Sequence, residues 1–483
     1  MTVTRGQVAY LGIDVGTSGT KVALLAADGR LLADAAEAYT VSTPQPGHAE
    51  TDAVTWVAAA DAAVARIAAT LADVNLRAAA IVGQMHGAVL CDDTAAPLAP
   101  AILWPDRRAE ADLARWRDLP QAMRDRLANP IVPGMTGPIL TWLAAHRPDL
   151  IDRAATVLLP KDVVRIALAG SADGESVRAC TDRSDASATL LWDVAADGWA
   201  EDVCAAAGIP ARLLPTALPS AATVAETDRF AGLVDGATRG VTLVAGAADT
   251  PAALLVTGPV DVLVNFGTGA QVLVSRTAPE RGDADPSTHL YADAGNGWYA
   301  MSALQNGGLA LDWAARVLGL GWDAFLAAVA DGRADDVTYL PFLTGERGGV
   351  ASPSSRGGWL GLRANTTGND LARAAVEGVL FAVRRGMELL GGSVTTASPV
   401  TLSGGGWRSA LLCRLAADVL GRPVQRLDVR SASATGAALL AARGVGDDMT
   451  PERTMGEPIE PTVDDDLDAR YRRWLDRASV AEH

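Results

Sequence analysis

With 483 residues the chain is too long for a single hydrophobic core, so two large domains are expected. Hydrophobic residues make up 49% and glycine fills 48 positions, which excludes a disordered chain and implies many turns. A formal net charge of −16 excludes a general nucleic-acid surface, because phosphate backbones would be repelled.

The N-terminus passes from polar Thr2, Thr4 and Arg5 into a strand, and no signal peptide is visible. Residues 8–38 read as a meander of three strands, with Asp28-Gly29 at the second turn. Asp52–Leu71 has helical spacing through Trp56, Ala60, Val64, Ile67 and Leu71. A strand over Ala78–Val82 leads into Gly83-Gln84-Met85-His86-Gly87. A strand over Ala88–Cys91 and the stretch Ile102-Leu103-Trp104-Pro105-Asp106 follow. Strand and helix then alternate to about residue 170, and Ser171–Asp185 reads as a polar loop. The second half opens with a strand over Val241–Ala245 and continues through Gly246-Ala247-Ala248-Asp249-Thr250-Pro251. Helices are expected over Leu304–Leu318, Asn369–Leu390 and Ala410–Leu420, the last following Gly404-Gly405-Gly406. The tail from Asp447 is rich in Pro and acid and should wrap the surface. The domains are expected to be 1–245 and 246–483, joined by a hinge. No run of about 18 uncharged apolar residues occurs, so no membrane span is expected. Cys91, Cys180, Cys204 and Cys413 lack metal-like spacing, which fits a reducing cytoplasm.

The chemistry centres on the turn Gly16-Thr17-Ser18-Gly19-Thr20, which joins two apolar β-rich runs. Successive amides in such a turn can point to one concave side and bind an anion. Asp14 beside it is placed to hold hydrated Mg²⁺. For the turn taken alone, an ordinary β-hairpin is the favoured explanation. A second copy argues for function: sliding the chain by 251 positions sets Gly267-Thr268 on Gly16-Thr17 and Asn265 on Asp14. Duplicated domains would each supply one phosphate turn. Asp249 follows a strand end, where it either accepts a proton from a substrate hydroxyl or caps the next helix. Both hold only if its two oxygens divide the work. His86 orients sugar hydroxyls or is structural. Trp104 and Asp106 suit a polyol, although such a Trp is otherwise core. Gly404–Gly406 permits close approach of an adenosine or simply makes a sharp turn. There is no Gly-Lys dipeptide and no Gly-x-Gly-x-x-Gly, and the five histidines are dispersed.

Several stretches resemble the FGGY carbohydrate kinases. They are Gly12-Ile13-Asp14-Val15-Gly16-Thr17-Ser18-Gly19-Thr20-Lys21, residues 83–87, Leu103-Trp104-Pro105-Asp106-Arg107, Leu159-Pro160-Lys161-Asp162 and Thr181-Asp182-Arg183-Ser184-Asp185-Ala186-Ser187. Gly246–Asp249, Gly345-Glu346-Arg347 and Gly404–Gly406 complete the series, and Met85-His86 is most similar to the D-xylulose kinases of that family. The resemblance implies an α/β fold of two ribonuclease-H-like (actin-like ATPase) domains facing each other across a cleft. It implies an ATP- and Mg²⁺-dependent kinase of a ketopentose, with D-xylulose as first choice, and suggests a homodimer. Carried across, Asp249 is the proton acceptor, and Met85, His86, Trp104, Asp106 and Thr250 lie at the sugar. Asp14 serves the metal, while Gly16, Thr17, Ser18, Gly267, Thr268 and Gly269 line the phosphates. Gly308, Asp312, Gly405, Gly406 and Ser409 fall on the adenosine side. Two departures touch the sugar: Thr250 stands where xylulose kinases usually have Asn, and Trp104-Pro105-Asp106-Arg107-Arg108 replaces Trp-Asn-Asp-Gly-Arg. A kinase of a deoxyketose, ribulose, gluconate or glycerol, or a non-catalytic sensor, are the alternatives.

Overall fold

The computed structural model describes residues 6–69, 74–170, 179–230, 240–258, 261–279, 286–391, 398–462 and 464–480. Two seven-stranded sheets organise the chain. The first takes strands β1 (Val8–Val15), β2 (Gly19–Ala26), β3 (Leu31–Ala38), β4 (Asn75–Gly83), β5 (Thr223–Thr227), β6 (Val241–Val244) and β7 (Ala247–Ala248). Their order is β5-β6-β4-β1-β2-β3, with β7 also pairing with β4. β1, β2 and β3 form the antiparallel meander, whereas β4 runs parallel to β1, and β6 and β7 run parallel to β4.

The helix α1 (Asp249–Thr257) follows β7 directly. The second sheet holds β8 (Val262–Phe266), β9 (Ala270–Arg276), β10 (His289–Ala292), β11 (Trp298–Leu304), β12 (Val400–Ser403), β13 (Val424–Asp428) and β14 (Thr454–Met455), in the order β10-β11-β9-β8-β12-β13-β14. Here too an antiparallel meander is joined to strands running parallel to its first member. Overlaying β1 on β8 therefore matches β2 with β9 and β4 with β12. The strand order is the ribonuclease-H-like one, used twice.

The helix α2 (Ala432–Gly444) lies on the face of the first sheet beside α1. Small residues let it approach: a Cβ on Gly12 of β1 would sit 1.8 Å from the Ala434 carbonyl oxygen, and one on Gly436 would sit 1.9 Å from that of Ala252. Ala78, Ala80, Ala247, Ala252, Ala437 and Ala438 are buried in this seam. Backbone proximity replaces bulky interdigitation there.

Four expectations about elements need correction. Leu304 ends β11 instead of opening a helix, which begins at Gly308, because Asn306 and Gly307 turn the chain against Gly269. Residues 108–153 are mostly short helices, with the next strand only at Thr156–Leu158. Cys180–Asp182 is a strand and Arg183–Ser187 a helical turn, with Asp182 and Asp185 buried; residues 171–178 of the predicted loop, like Leu71, lie outside the described residues. The tail carries β14 and a helix over Asp465–Val480, which buries Leu467, Tyr471, Trp474 and Ala478 in the second core. Charges outnumbering apolar residues in that helix hid a narrow apolar stripe at positions three to four apart.

Candidate active site

The carboxyl ends of the parallel strands β1, β4 and β7 meet at one edge of the first sheet, where open α/β sheets bind ligands. Asp14 of β1 is level with Val82 of β4, and Ala248 of β7 is level with Gly83, so Asp14 and Asp249 flank the same strand end. Burial pushes the Asp14 carboxyl up to about 7, helped by the negative charge of Asp249 and opposed by Lys21. Burial likewise raises Asp249 to about 6, against the hydrogen bonds of Thr250. The two oxygens of Asp249 differ. Oδ1 accepts from the Thr250 amide at 2.6 Å and from its hydroxyl at 3.2 Å, whereas Oδ2 accepts nothing from the described residues. Asp249 is only partly buried, so the free oxygen is not sealed in a core.

Beside this pair the turn closes through Gly16 N–H donating to the Gly19 carbonyl at 3.0 Å. Thr17 donates to Gln84 Oε1 at 3.2 Å and accepts from Trp104 Nε1 at 2.9 Å, which ties Trp104 to the turn. Ser18 is exposed at the tip. The Asp14 Oδ1 atom is buried and receives no hydrogen bond, which suits a cation ligand. Among the described residues no set of three or more His, Cys, Asp or Glu side chains converges as a metal site, so Mg²⁺ would draw its other ligands from nucleotide phosphates and water.

A buried ionic cluster lies behind the pair, and sequence reasoning gave its members no role. Lys161 Nζ reaches Asp162 at 2.5 Å, Asp182 at 3.3 Å and Asp185 at 3.4 Å, all fully buried. Asp182 Oδ2 accepts from the hydroxyls of Ser184 and Ser220, each at 2.6 Å, and Ser184 Oγ in turn accepts from the Ala248 amide at 3.0 Å. The residue before Asp249 is thus anchored through a serine to a charged network. Breaking one partner of such a network leaves an uncompensated buried charge.

The second Gly-Thr turn sits on the first turn of the helix α3 (Gly308–Val317). Gly308 N–H donates to the Gly267 carbonyl at 2.9 Å, and Gly307 and Leu309 donate to that of Thr268. Gly267, Thr268, Gly308, Asp312 and Gly406 line a cavity of about 230 Å³ together with Trp322, an aromatic wall that the sequence did not flag. Gly404–Gly406 comes close because a Cβ on Gly406 would lie 2.1 Å from Phe266 Cδ1. Gly269, Gly405 and Ser409 stand outside the lining: the Gly269 carbonyl accepts from Gly267, and Ser409 caps the helix Ala410–Leu420.

Three residues past the end of β4, His86 adopts φ 64° and places Nδ1 2.5 Å from the Ala188 carbonyl. That contact requires a proton on Nδ1, so neutral His86 carries a bare Nε2; burial holds its imidazole down at about 4. Met85 is buried and accepts from Tyr299 Oη at 3.7 Å across the two halves. The second sheet also brings His289 and Tyr291 beside His86, residues that nothing in their local sequence marked. Asp106, which the resemblance places at the sugar, has both carboxylate oxygens engaged by protein groups. It is buried, with Oδ2 accepting from Ala49 N at 2.7 Å and from Arg108 Nη2 at 2.8 Å, and Oδ1 from Arg108 N and Nε.

Residues 9–256 match the FGGY family of carbohydrate kinases, N-terminal domain, and residues 262–445 match its C-terminal domain. The chain belongs to the FGGY carbohydrate kinase family. It is therefore a sugar kinase that uses ATP as co-substrate, built on two actin-like domains. A xylulose kinase of Escherichia coli strain K12 is 35% identical over 93% of this chain and 92% of its own length. A glycerol kinase of Leptothrix cholodnii is 31% identical over 98% of this chain and 99% of its own. The crystal structure of xylulose kinase from Rhodospirillum rubrum superimposes with a TM-score of 0.84 at 30% identity, covering 98% of each chain. No single helix among the described residues is long and apolar enough to cross a membrane.

Proposed function

We propose that this FGGY kinase transfers the γ-phosphoryl group of ATP to the terminal hydroxyl of a ketopentose, D-xylulose to D-xylulose 5-phosphate being the preferred reaction. One observation carries the chemical part: Asp249 Oδ1 is occupied by Thr250 while Oδ2 is free at the strand-end edge beside Asp14. The held oxygen fixes the carboxylate, and the free one accepts the proton of the sugar hydroxyl as that oxygen attacks phosphorus. A carboxyl poised near 6 is ionised at neutral pH yet basic enough to take a proton in the transition state.

Asp14 fits Mg²⁺, which when bound neutralises charge on the nucleotide phosphates. The amides of Thr17 and Ser18 and, in the counterpart turn, of Thr268 are offered to the transferring and leaving phosphates, while those of Gly16 and Gly267 close their own turns. The cavity between Trp322, Asp312 and Gly406 takes the adenosine. Closure of the two halves about a hinge near residue 245 would exclude water as a competing acceptor. The xylulose kinase relatives, at up to 35% identity, support the choice of sugar. Incubation with ATP, Mg²⁺ and D-xylulose, followed by nuclear magnetic resonance of the product, should show phosphate on C5 only. Phosphate elsewhere, or ADP release that does not depend on the sugar, would reject the reading.

A further inference from the structure

We propose that Arg347 is a positioning residue that joins the two Gly-Thr turns, reaching the first through Trp104 and the second through Gln305; this rests on the reading of those turns as phosphate sites above. The first turn is tied down largely within its own half of the chain. Gly16 N–H closes on the Gly19 carbonyl, and the Gly16 carbonyl accepts from Tyr39 Oη at 2.5 Å and Gln84 Nε2 at 3.3 Å. The Thr17 hydroxyl also accepts from Trp104 Nε1 at 2.9 Å. The guanidinium carbon of Arg347, which belongs to the second half, lies 5.9 Å from the centroid of that indole ring. A half-buried cation at this distance from an aromatic face is attracted to it.

The other end of Arg347 is equally well held. The fully buried Glu346 carboxylate fixes its backbone by accepting from Gln305 N at 2.7 Å, Arg347 N at 2.9 Å and Asn306 Nδ2 at 2.9 Å. Asn306 Nδ2 also donates to the Gly345 carbonyl at 2.7 Å. With the Gln305 amide oxygen turned toward the guanidinium, Nη2 donates to it at 2.8 Å and Nε also donates. Gln305 and Asn306 stand between the end of β11 and Gly307, whose N–H donates to the Thr268 carbonyl at 3.1 Å. A path of contacts thus runs from Thr17 through Trp104, Arg347 and Gln305 to Gly307 and Thr268.

Other bonds between the halves, from Asn129 to Leu290 and from the Ala292 amide to Ser187 Oγ, hold β10 and touch neither turn. A phosphoryl group passing between the turns needs both at one spacing, because a misplacement of about 1 Å costs on the order of 10²-fold in rate. The ring and the cation set that spacing only if each is fixed on its own side. Both are, Trp104 by Thr17 and Arg347 by Gln305 and Glu346.

The test is a double-mutant cycle on kcat. Arg347→Met removes the cation, and Trp104→Phe keeps a ring while removing the N–H that holds Thr17. Each should lower kcat with D-xylulose roughly 3- to 30-fold, with KM for sugar and for ATP within about threefold. Links in series fail together, so the double variant should be no slower than the slower single one. Arg347→Lys keeps the charge without the planar fork and should fall between wild type and Arg347→Met; it takes that variant's place in the cycle if Arg347→Met melts well below wild type. Losses that multiply in the double variant, or that fall on either KM with kcat intact, overturn the link while leaving the kinase reading standing. ADP release that does not depend on the sugar rejects that reading, and this proposal with it.

Discussion

Replacing Asp249 by asparagine separates what the carboxylate does for the reaction from what it costs the fold. The amide can still accept from the Thr250 N–H that now holds Oδ1 at 2.6 Å, so local geometry should persist while the proton acceptor is lost. Turnover should fall roughly 10²- to 10⁴-fold, the usual contribution of a positioned base. Stability should move the other way. The wild-type carboxyl rises from 3.8 to about 6 on folding, so the folded state prefers it protonated. That preference is fully present below the unfolded value and is lost as pH rises through about 6. Each unit corresponds to about 1.4 kcal/mol, so a non-titrating asparagine should stabilise by at most about 3 kcal/mol at pH 8, with little gain at pH 4. Initial rates by ADP release and thermal melting at both pH values, without added metal, supply the assay. Near-normal turnover, or a variant less stable than wild type at pH 8, would refute the assignment.

Three further outcomes follow from contacts at the two ends of the cleft and at the seam. His86→Ala should raise the sugar KM at least tenfold with ATP KM nearly unchanged, because it removes the bare Nε2; steady-state kinetics with each substrate varied would show equal losses if His86 were only structural. Gly406→Ala sets a Cβ 2.1 Å from Phe266 and should weaken ADP binding severalfold by calorimetry, with little effect on sugar affinity. Gly12→Ala drives a Cβ to 1.8 Å from the Ala434 carbonyl, so α2 must move off the sheet; a loss of about 1–3 kcal/mol or more is expected in denaturant melts.

The parts of the fold legible in the sequence were local ones. The first turn and its neighbours joined by Gly16–Thr20, the repeat at Gly267-Thr268 and the helix Ala410–Leu420 all announce themselves through short-range pattern. The alternative of Asp249 as a helix cap does not hold: Ala248 stands at the N-cap of α1 with no side-chain cap bond, Asp249 is the first helical residue, and its Oδ1 is held by Thr250 alone. What stayed hidden depends on distant contacts. Asp182 and Asp185 looked like loop residues because their neutralising Lys161 lies more than twenty positions away. His289 gains meaning only when the second sheet is folded against His86, with Tyr291 between the two rings. Asp106 looked available because its engagement by Arg108 and the Ala49 amide requires the chain to return on itself.

The most direct measurement is kcat/KM from ADP release across D-xylulose, D-ribulose, a deoxyketose, gluconate and glycerol, at fixed ATP and Mg²⁺. D-Xylulose should give the largest value, with glycerol and gluconate at least tenfold lower. A larger value for gluconate or glycerol than for either ketopentose would contradict the assignment.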